Sequence, residues 1–349
     1  PVIFGSLFQT VMNEEERHSS GGHYTARKNI MKVIQPLFLD DLIHEFNYIK
    51  QIRTRQKQQS LEKFQDKLSK LKFLDPACGS GNFLVVTYQE LRRLEHRVIS
   101  ELHDQRTQLL DISHLSKISI NQFYGIEINE FSAQVSQVSL WMMEHLMNQE
   151  LASLYGQVLI DIPLKTHPNI LNHDALEIDW NDLLLNTNCS FILGNPPYLG
   201  ANNYKFTEHK QKGLQIKRLA DIGDSGGVLD YVTGWFLKAG QYCNDSIGVG
   251  FVSTNSITQG QQVGHLWDIL FDRYNFKINF AYKDFQWESE ASGTARVTVV
   301  IIGLSKKPLE HKRLFSFKEK KLIEENPKYI SPYLIGSDTE LPIVRKSRS

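Results

Sequence analysis

The sequence predicts an α/β fold: a mostly parallel sheet of seven strands, one of them antiparallel, preceded by a helical N-terminal segment. Three observations carry this. LKFLD at 71–75 is a short apolar run that ends in an acid, meets a proline and a glycine-bearing turn, and passes into a helical pattern from Phe83 to Leu102. Strand, tight turn and helix in that order open a parallel sheet. Four strand-like runs follow, QFYGIEI at 122–128, NILNHDAL at 169–176, SFILG at 190–194 and IGVGFVS at 247–253, with helical segments at 130–149 and about 229–243. Last, FKINFAY at 276–282 and ARVTVVIIGLS at 295–305 are strongly β-forming and separated by polar residues, which predicts a hairpin and hence the antiparallel strand.

At 349 residues the chain can bury a sizeable core, with roughly two domains as the prior for its length. Its apolar stretches are short and interrupted by charge, so no bilayer-spanning helix of about 20 residues is expected. The opening PVIFGSLFQTV lacks the basic leader and long apolar segment of a secretory signal. Cys78, Cys189 and Cys243 are too few and scattered for a disulfide framework or thiolate metal site, in keeping with a reducing cytoplasm. With 39 basic and 39 acidic side chains the net charge is zero, which weakly opposes a wholly basic surface and leaves room for a local basic groove. The missing initial methionine and the polar RKSRS tail are expected of a fragment.

Ile30, Val33, Ile34, Leu37, Phe38, Leu42 and Phe46 recur at helical spacing, with Pro36 as a break or kink. Residues 51–72 are polar and basic, which fits either a solvated helix face or a phosphate-facing helix. The same two readings apply to 306–328, which holds Lys306, Lys307, Lys312, Arg313, Lys318, Lys320, Lys321 and Lys328. Residues 199–228 show little regular pattern and are expected to form a functional loop. The expected organisation is a helical segment at 1–70, a catalytic domain at 71–305, and at 306–349 a linker with the start of a further domain, suggested by YISPYLIG at 329–336.

The chemistry is concentrated at the ends of four strands. Asp75, Pro76, Ala77, Cys78, Gly79, Ser80, Gly81 and Asn82 form a turn in which glycines admit a ligand close to backbone N–H groups at a helix N-terminus. An acid ahead of this turn suits a ligand carrying an ammonium better than one carrying a pyrophosphate. Glu127, in GIEIN, can accept both hydroxyls of a ribose, and Asp174, in HDAL, can accept from an adenine amino group. Each acid taken alone is also an ordinary solvated strand end. Three such acids on consecutive strands converge on one carboxyl edge, where doubly wound folds bind ligands.

Asn195, Pro196, Pro197 and Tyr198 end the fourth strand. Neither proline supplies an N–H, so the turn is stiff and its carbonyls lack local partners. The Asn195 side-chain oxygen and the Pro196 carbonyl can accept both hydrogens of a planar amino group, drawing its nitrogen toward a form whose lone pair points at an electrophile. Tyr198 offers a flat face to the ring bearing that amine.

DPACGSGNFL at 75–84, GIEI at 125–128, HDAL at 173–176 and NPPY at 195–198 resemble motifs one to four of the S-adenosylmethionine-dependent DNA methyltransferases that modify adenine N6, and GGHYTARKNI at 21–30 resembles their N-terminal cofactor motif in the gamma order. IFGSLF, LFLDDL, NQFYGIEINEF, FILGNPPYLG, FVSTNSITQGQQV and SPYLIG narrow the resemblance to MmeI-like single-chain restriction-modification enzymes, over residues 3–336. The resemblance implies a Rossmann-like methyltransferase fold. It implies that His23, Tyr24 and Thr25 line the methionine part of the cofactor, and that Asp75, Pro76, Ala77, Cys78, Gly79, Gly81, Asn82 and Phe83 form the floor. Glu127 and Ile128 then border the ribose, Asp174 and Ala175 the adenine, and Asn195 the reactive end. Asn195, Pro196, Pro197 and Tyr198 would hold the target base, with Phe285, beside Trp287, as a second stacking aromatic.

The resemblance further implies a double-stranded DNA partner, a nuclease domain ahead of this segment and a target-recognition domain after it, both missing here, so that no nuclease activity is expected of the fragment. The expected mechanism is in-line methyl transfer to a flipped adenine without covalent intermediate or metal. A C5-type nucleophile would be a cysteine after strand four, where tyrosine stands, and His18, His23 and His44 are too sparse for a metal set. Methylation of RNA bases or of protein glutamine uses the same turn and remains an alternative, as does a non-catalytic cofactor-binding or DNA-positioning subunit.

Overall fold

The computed structural model describes residues 26–103, 115–156, 168–287, 297–319, 321–341 and 343. Among the described residues three helices come first: α1 (Arg27–Ile34), α2 (Asp40–Lys50) and α3 (Gln56–Lys70). Ile30, Val33 and Ile34, then Leu42, Phe46 and Ile49, then Leu61, Phe64 and Leu68 put one apolar stripe of each helix into the core. Pro36 does not break the chain between α1 and α2; a π-helical turn, Gln35–Leu39, absorbs the missing N–H and keeps Phe38 and Leu39 buried.

The nine strands of the main sheet are β1 (Phe73–Asp75), β2 (Phe123–Glu127), β3 (Asn169–Asn172), β4 (Phe191–Gly194), β5 (Gly248–Thr254), β6 (Lys277–Trp287), β7 (Val297–Ser305), β8 (Arg313–Lys318) and β9 (Lys321–Glu325). Their order is β3-β2-β1-β4-β5-β7-β6-β8-β9. β1 to β5 pair in parallel, and β7 runs antiparallel between β5 and β6, as the hairpin expectation requires. The order reverses between β1 and β4, so their carboxyl ends flank the crevice where such sheets bind ligands. On one face lie α1 to α3 with α4 (Asn82–Leu102) and α5 (Glu130–Leu154), closed by Phe38, Phe73, Phe123 and Phe191 with Phe73 stacked 5.2 Å from Phe123. On the other lie α6 (Lys210–Ala220), α7 (Thr233–Tyr242) and α8 (Gly260–Asp268), packed around Ile216, Trp235, Phe236 and Trp267.

Two features depart from the sequence reading. The sheet continues past residue 305: β8 pairs in parallel with β6 and carries β9 at its edge. Leu314 and Phe315 point into opposite cores, and Phe315 stacks 4.2 Å from Tyr282. The basic residues concealed this strand because two of them hold it. Arg313 bridges Asp40 at 2.6 Å and Glu324 at 2.7 Å, while Lys312 is buried over the Tyr329 ring. Likewise α3 pairs Lys57 with Glu101 at 2.8 Å and Lys67 with Glu45 at 2.5 Å, so part of its charge is used within the chain.

The stretch at 199–228 contains α6, a short helix whose apolar side, Ile216, Leu219 and Ala220, is confined to its second half. Its buried side is Gly213, Gln215, Ile216 and Ala220, and Gly213 lies under the Tyr204 ring, where a Cβ would come within 2.8 Å. Among the described residues no helix is long and apolar enough to cross a membrane.

Gly303 in β7 sits opposite Phe280, and a Cβ there would lie 2.0 Å from the Phe280 ring. Overpacking of this kind costs about 1–3 kcal/mol. Gly303→Ala is therefore expected to lower the unfolding free energy by that amount, read as a lower urea midpoint at an unchanged slope; an unaltered midpoint would mean that the ring has room to move.

Candidate active site

β1 delivers Asp75, 1% exposed, to the start of the turn, where its Oδ1 accepts from the Ala77 N–H at 3.1 Å. Gly79 (φ +54°) and Gly81 (φ +84°) occupy the left-handed region that favours glycine. Gly81 caps α4, and a Cβ on it would lie 2.5 Å from Ser136 Oγ, whereas the space above Gly79 is open. Cys78 lies beneath the turn: its N–H donates to the Ile126 carbonyl at 3.1 Å and its Sγ abuts Gly125. Burial pushes its thiol well up, so it packs as a neutral group. Pro76 and Phe83 are buried, and Ala77 and Asn82 half-buried.

β2 ends in Glu127, whose Oε2 accepts from the Gly79 N–H and Oε1 from the Asn129 N–H, both at 2.9 Å. Burial raises its pKa. Ile128, next in the chain, is 68% exposed, an apolar side chain placed beside the acid at the open edge. Asp174 follows β3; its Oδ1 accepts from the Leu176 N–H at 2.8 Å and its Oδ2 from Gln215 Nε2 at 2.9 Å. Ala175 is buried, and its carbonyl accepts from Trp180 Nε1 at 2.9 Å.

β4 brings the target turn to this floor. β1 and β4 pair through Phe73–Phe191 and Leu74–Ile192, which sets Gly194 against Asp75: a Cβ on Gly194 would lie 2.6 Å from Asp75 Oδ1. The next residue, Asn195, has its Oδ1 buried without a hydrogen-bond partner. A buried unpaired acceptor costs about 1–3 kcal/mol, so its retention points to a donor supplied from outside the chain. Pro196 is buried, Pro197 and Tyr198 half-buried, and Tyr198 packs against both cores. Burial pushes the Tyr198 phenol up to about 12, keeping it neutral.

The sequence-derived residues from Asp75 to Phe83, Glu127, Ile128, Asp174, Ala175 and Asn195 to Tyr198 are thus gathered along one edge. Phe285 stands near the same edge on β6, with its ring 6.3 Å from that of Tyr282, 5.9 Å from that of Phe317 and 4.6 Å from Lys32 Nζ. Those partners place it toward α1. His23, Tyr24 and Thr25 lie outside the described residues.

A family model described as "MmeI, DNA-methyltransferase domain" matches residues 50–316. The chain belongs to that family. A curated relative, DNA methyltransferase A of Bacillus subtilis (strain 168), is 41% identical over 98% of this chain and 37% of its own. Among solved structures, the Type IIL restriction-modification enzyme MmeI in complex with DNA is 45% identical, with a TM-score of 0.89 over 96% of this chain and 44% of that one. The DrdV–DNA complex, 14% identical over 93% of this chain and 32% of that one with a TM-score of 0.52, shares the fold. This MmeI-type domain therefore spans less than half the length of these relatives.

S-adenosylmethionine is the cofactor of this MmeI-type domain, and the residues present fit it. The floor above Gly79 is open, and acids stand at three consecutive strand ends along it. Three contributors escaped the sequence reading. Trp235 Nε1 donates to the Pro76 carbonyl at 2.9 Å and latches the turn from α7; Gln215 holds Asp174 from α6; Gly194 clears space for Asp75. Nothing in the periodicity marks Trp235 or Gln215, because their partners are about 160 and 40 residues away. Gly194 ends an apolar strand ahead of the double proline, and that position was the available signal.

Burial, reinforced by the neighbouring Glu127 charge, pushes Asp75 from 3.8 up to about 8. Between those values the unfolded chain has lost this proton while the folded one retains it, so stability falls as pH rises across the window. Asp75→Asn removes that term. Its stability relative to the parent is expected to increase steadily from about pH 4 to about pH 8, as read by denaturant unfolding at each pH; a constant difference across the range would refute it.

Proposed function

We propose that the chain transfers a methyl group from S-adenosylmethionine to the N6 amino group of an adenine flipped out of double-stranded DNA, as the modification part of a restriction-modification enzyme. The observation that carries this is the buried, unpartnered Asn195 Oδ1 at a turn seated against Asp75. The bound cofactor supplies an electrophilic methyl on a sulfonium. Asp75, Glu127 and Asp174 with Ala175 hold its ammonium, ribose and adenine parts, and His23, Tyr24 and Thr25 complete the methionine side. Asn195 Oδ1 and the Pro196 carbonyl accept from the target amine, drawing its lone pair out of ring conjugation and meeting the positive charge that develops on nitrogen. Tyr198 stacks on the base, offsetting the few kcal/mol that leaving the duplex costs, and Phe285 is the second candidate for that contact. Holding donor and acceptor at one sheet edge supplies much of the acceleration.

The relatives are more than twice as long as the part matched, which leaves room for a nuclease domain ahead of this segment and a target-recognition domain starting within 306–349 in the same polypeptide, working on DNA in the prokaryotic cytoplasm. The test is transfer of labelled methyl from S-adenosylmethionine to unmethylated DNA, followed by nucleoside analysis. N6-methyladenine is the expected product, and Asn195→Ala is expected to lower turnover on the order of 100- to 1000-fold with cofactor affinity largely kept. Label recovered in RNA, in protein or on cytosine, or equal turnover by the variant, would reject the reading.

A further inference from the structure

Asp230, just ahead of α7, is 2% exposed and fully engaged. Its Oδ1 accepts from the Leu199 N–H at 3.1 Å and the Gly200 N–H at 3.0 Å. Its Oδ2 accepts from Thr254 Oγ1 at 3.0 Å and Ser256 Oγ at 3.2 Å. The residue is itself held, because its N–H donates to Gln262 Oε1 at 3.0 Å and its carbonyl accepts from Thr233 Oγ1 at 2.6 Å. One buried carboxylate thus joins the chain leaving β4 to the chain leaving β5.

This junction lies where the target turn needs it. Pro196 and Pro197 bring no N–H groups, so the turn has few backbone donors of its own with which to dock on the sheet. Leu199 and Gly200, directly after Tyr198, supply donors that meet Asp230, and Gly200 takes a positive φ of 75° to present its own. We propose that Asp230 is a positioning residue for methyl transfer: through Leu199 and Gly200 it sets where Asn195 and Tyr198 stand, without touching cofactor or base. A carboxylate serves better than an amide because all four neighbours donate, and charge-assisted hydrogen bonds are the stronger kind. The proposal rests on the reading of Asn195–Tyr198 as the base-holding turn.

The test measures labelled-methyl turnover on DNA, DNA KM and calorimetric S-adenosylmethionine affinity for the whole protein, for Asn195→Ala, Asp230→Ala and Asp230→Asn, and for the double variant Thr254→Val with Ser256→Ala. A displacement of about 1 Å at a reacting group costs on the order of 100-fold. Asp230→Ala is expected to lose turnover on that scale with cofactor affinity within about threefold, and Asp230→Asn, which keeps an acceptor for the two N–H groups, to recover much of the loss. If Asp230→Ala does not fold, the double variant is expected to lose on the order of tenfold in turnover with cofactor affinity kept. Unchanged turnover in the folded Asp230 variants or in the double variant, or a matching loss of cofactor affinity, overturns the proposal. Loss in Asn195→Ala but not in the Asp230 variants defeats this proposal alone; full activity of Asn195→Ala defeats the base-holding reading beneath it.

Discussion

The pairing of β1 with β4 at the reversal point of the sheet constrains everything else in the site. It sets Gly194 so near the Asp75 carboxyl group that only a hydrogen fits between, and so fixes the distance between the glycine turn and the proline turn through rigid backbone. Two strand ends in one parallel ladder cannot drift apart without breaking the hydrogen bonds that define the ladder. A reaction that depends on holding two molecules in line gains from being anchored to strands rather than to loops.

Around that junction the chain accepts electrostatic costs that a purely structural edge would avoid. Asp75 and Glu127 are both buried, which raises the pKa of each, with the Glu127 charge adding to the rise at Asp75, and Asn195 carries an acceptor with nothing to accept from. Such costs are tolerated when a ligand relieves them and are otherwise rare in folded proteins. The supporting contacts are fully satisfied by comparison: Trp235 on the Pro76 carbonyl, Gln215 on Asp174, and the four donors on Asp230. The unpaired acceptor and the buried acids at this edge thus rest on supports whose own hydrogen bonds are made.

Much of the site was legible before folding because its residues are local in sequence. Asp75 to Phe83 form one strand–turn–helix unit, and Asn195 to Tyr198 form one stiff turn, so adjacency alone announces them. What escaped were helix α6 and strand β8. The first buries glycine, glutamine and alanine with a single isoleucine, and the second buries Leu314 and Phe315 toward opposite faces, leaves Phe317 exposed and is flanked by lysines. Periodicity reports apolar burial, and neither element spends enough apolar surface on one face to show it.

By itself the sequence determined the α/β class, the strand order along the chain and the identity of the motif residues, since these follow from local patterns of apolar period, glycine and proline. Only the tertiary structure decided that Gly194 would touch Asp75, that Asn195 Oδ1 would be left unpaired, and that Trp235, Gln215 and Asp230 would brace the two turns. The physical reason is the range of the interaction. A turn is set by the dihedral limits of neighbouring residues, whereas a contact between residues tens of positions apart exists only once the sheet has brought their strands side by side.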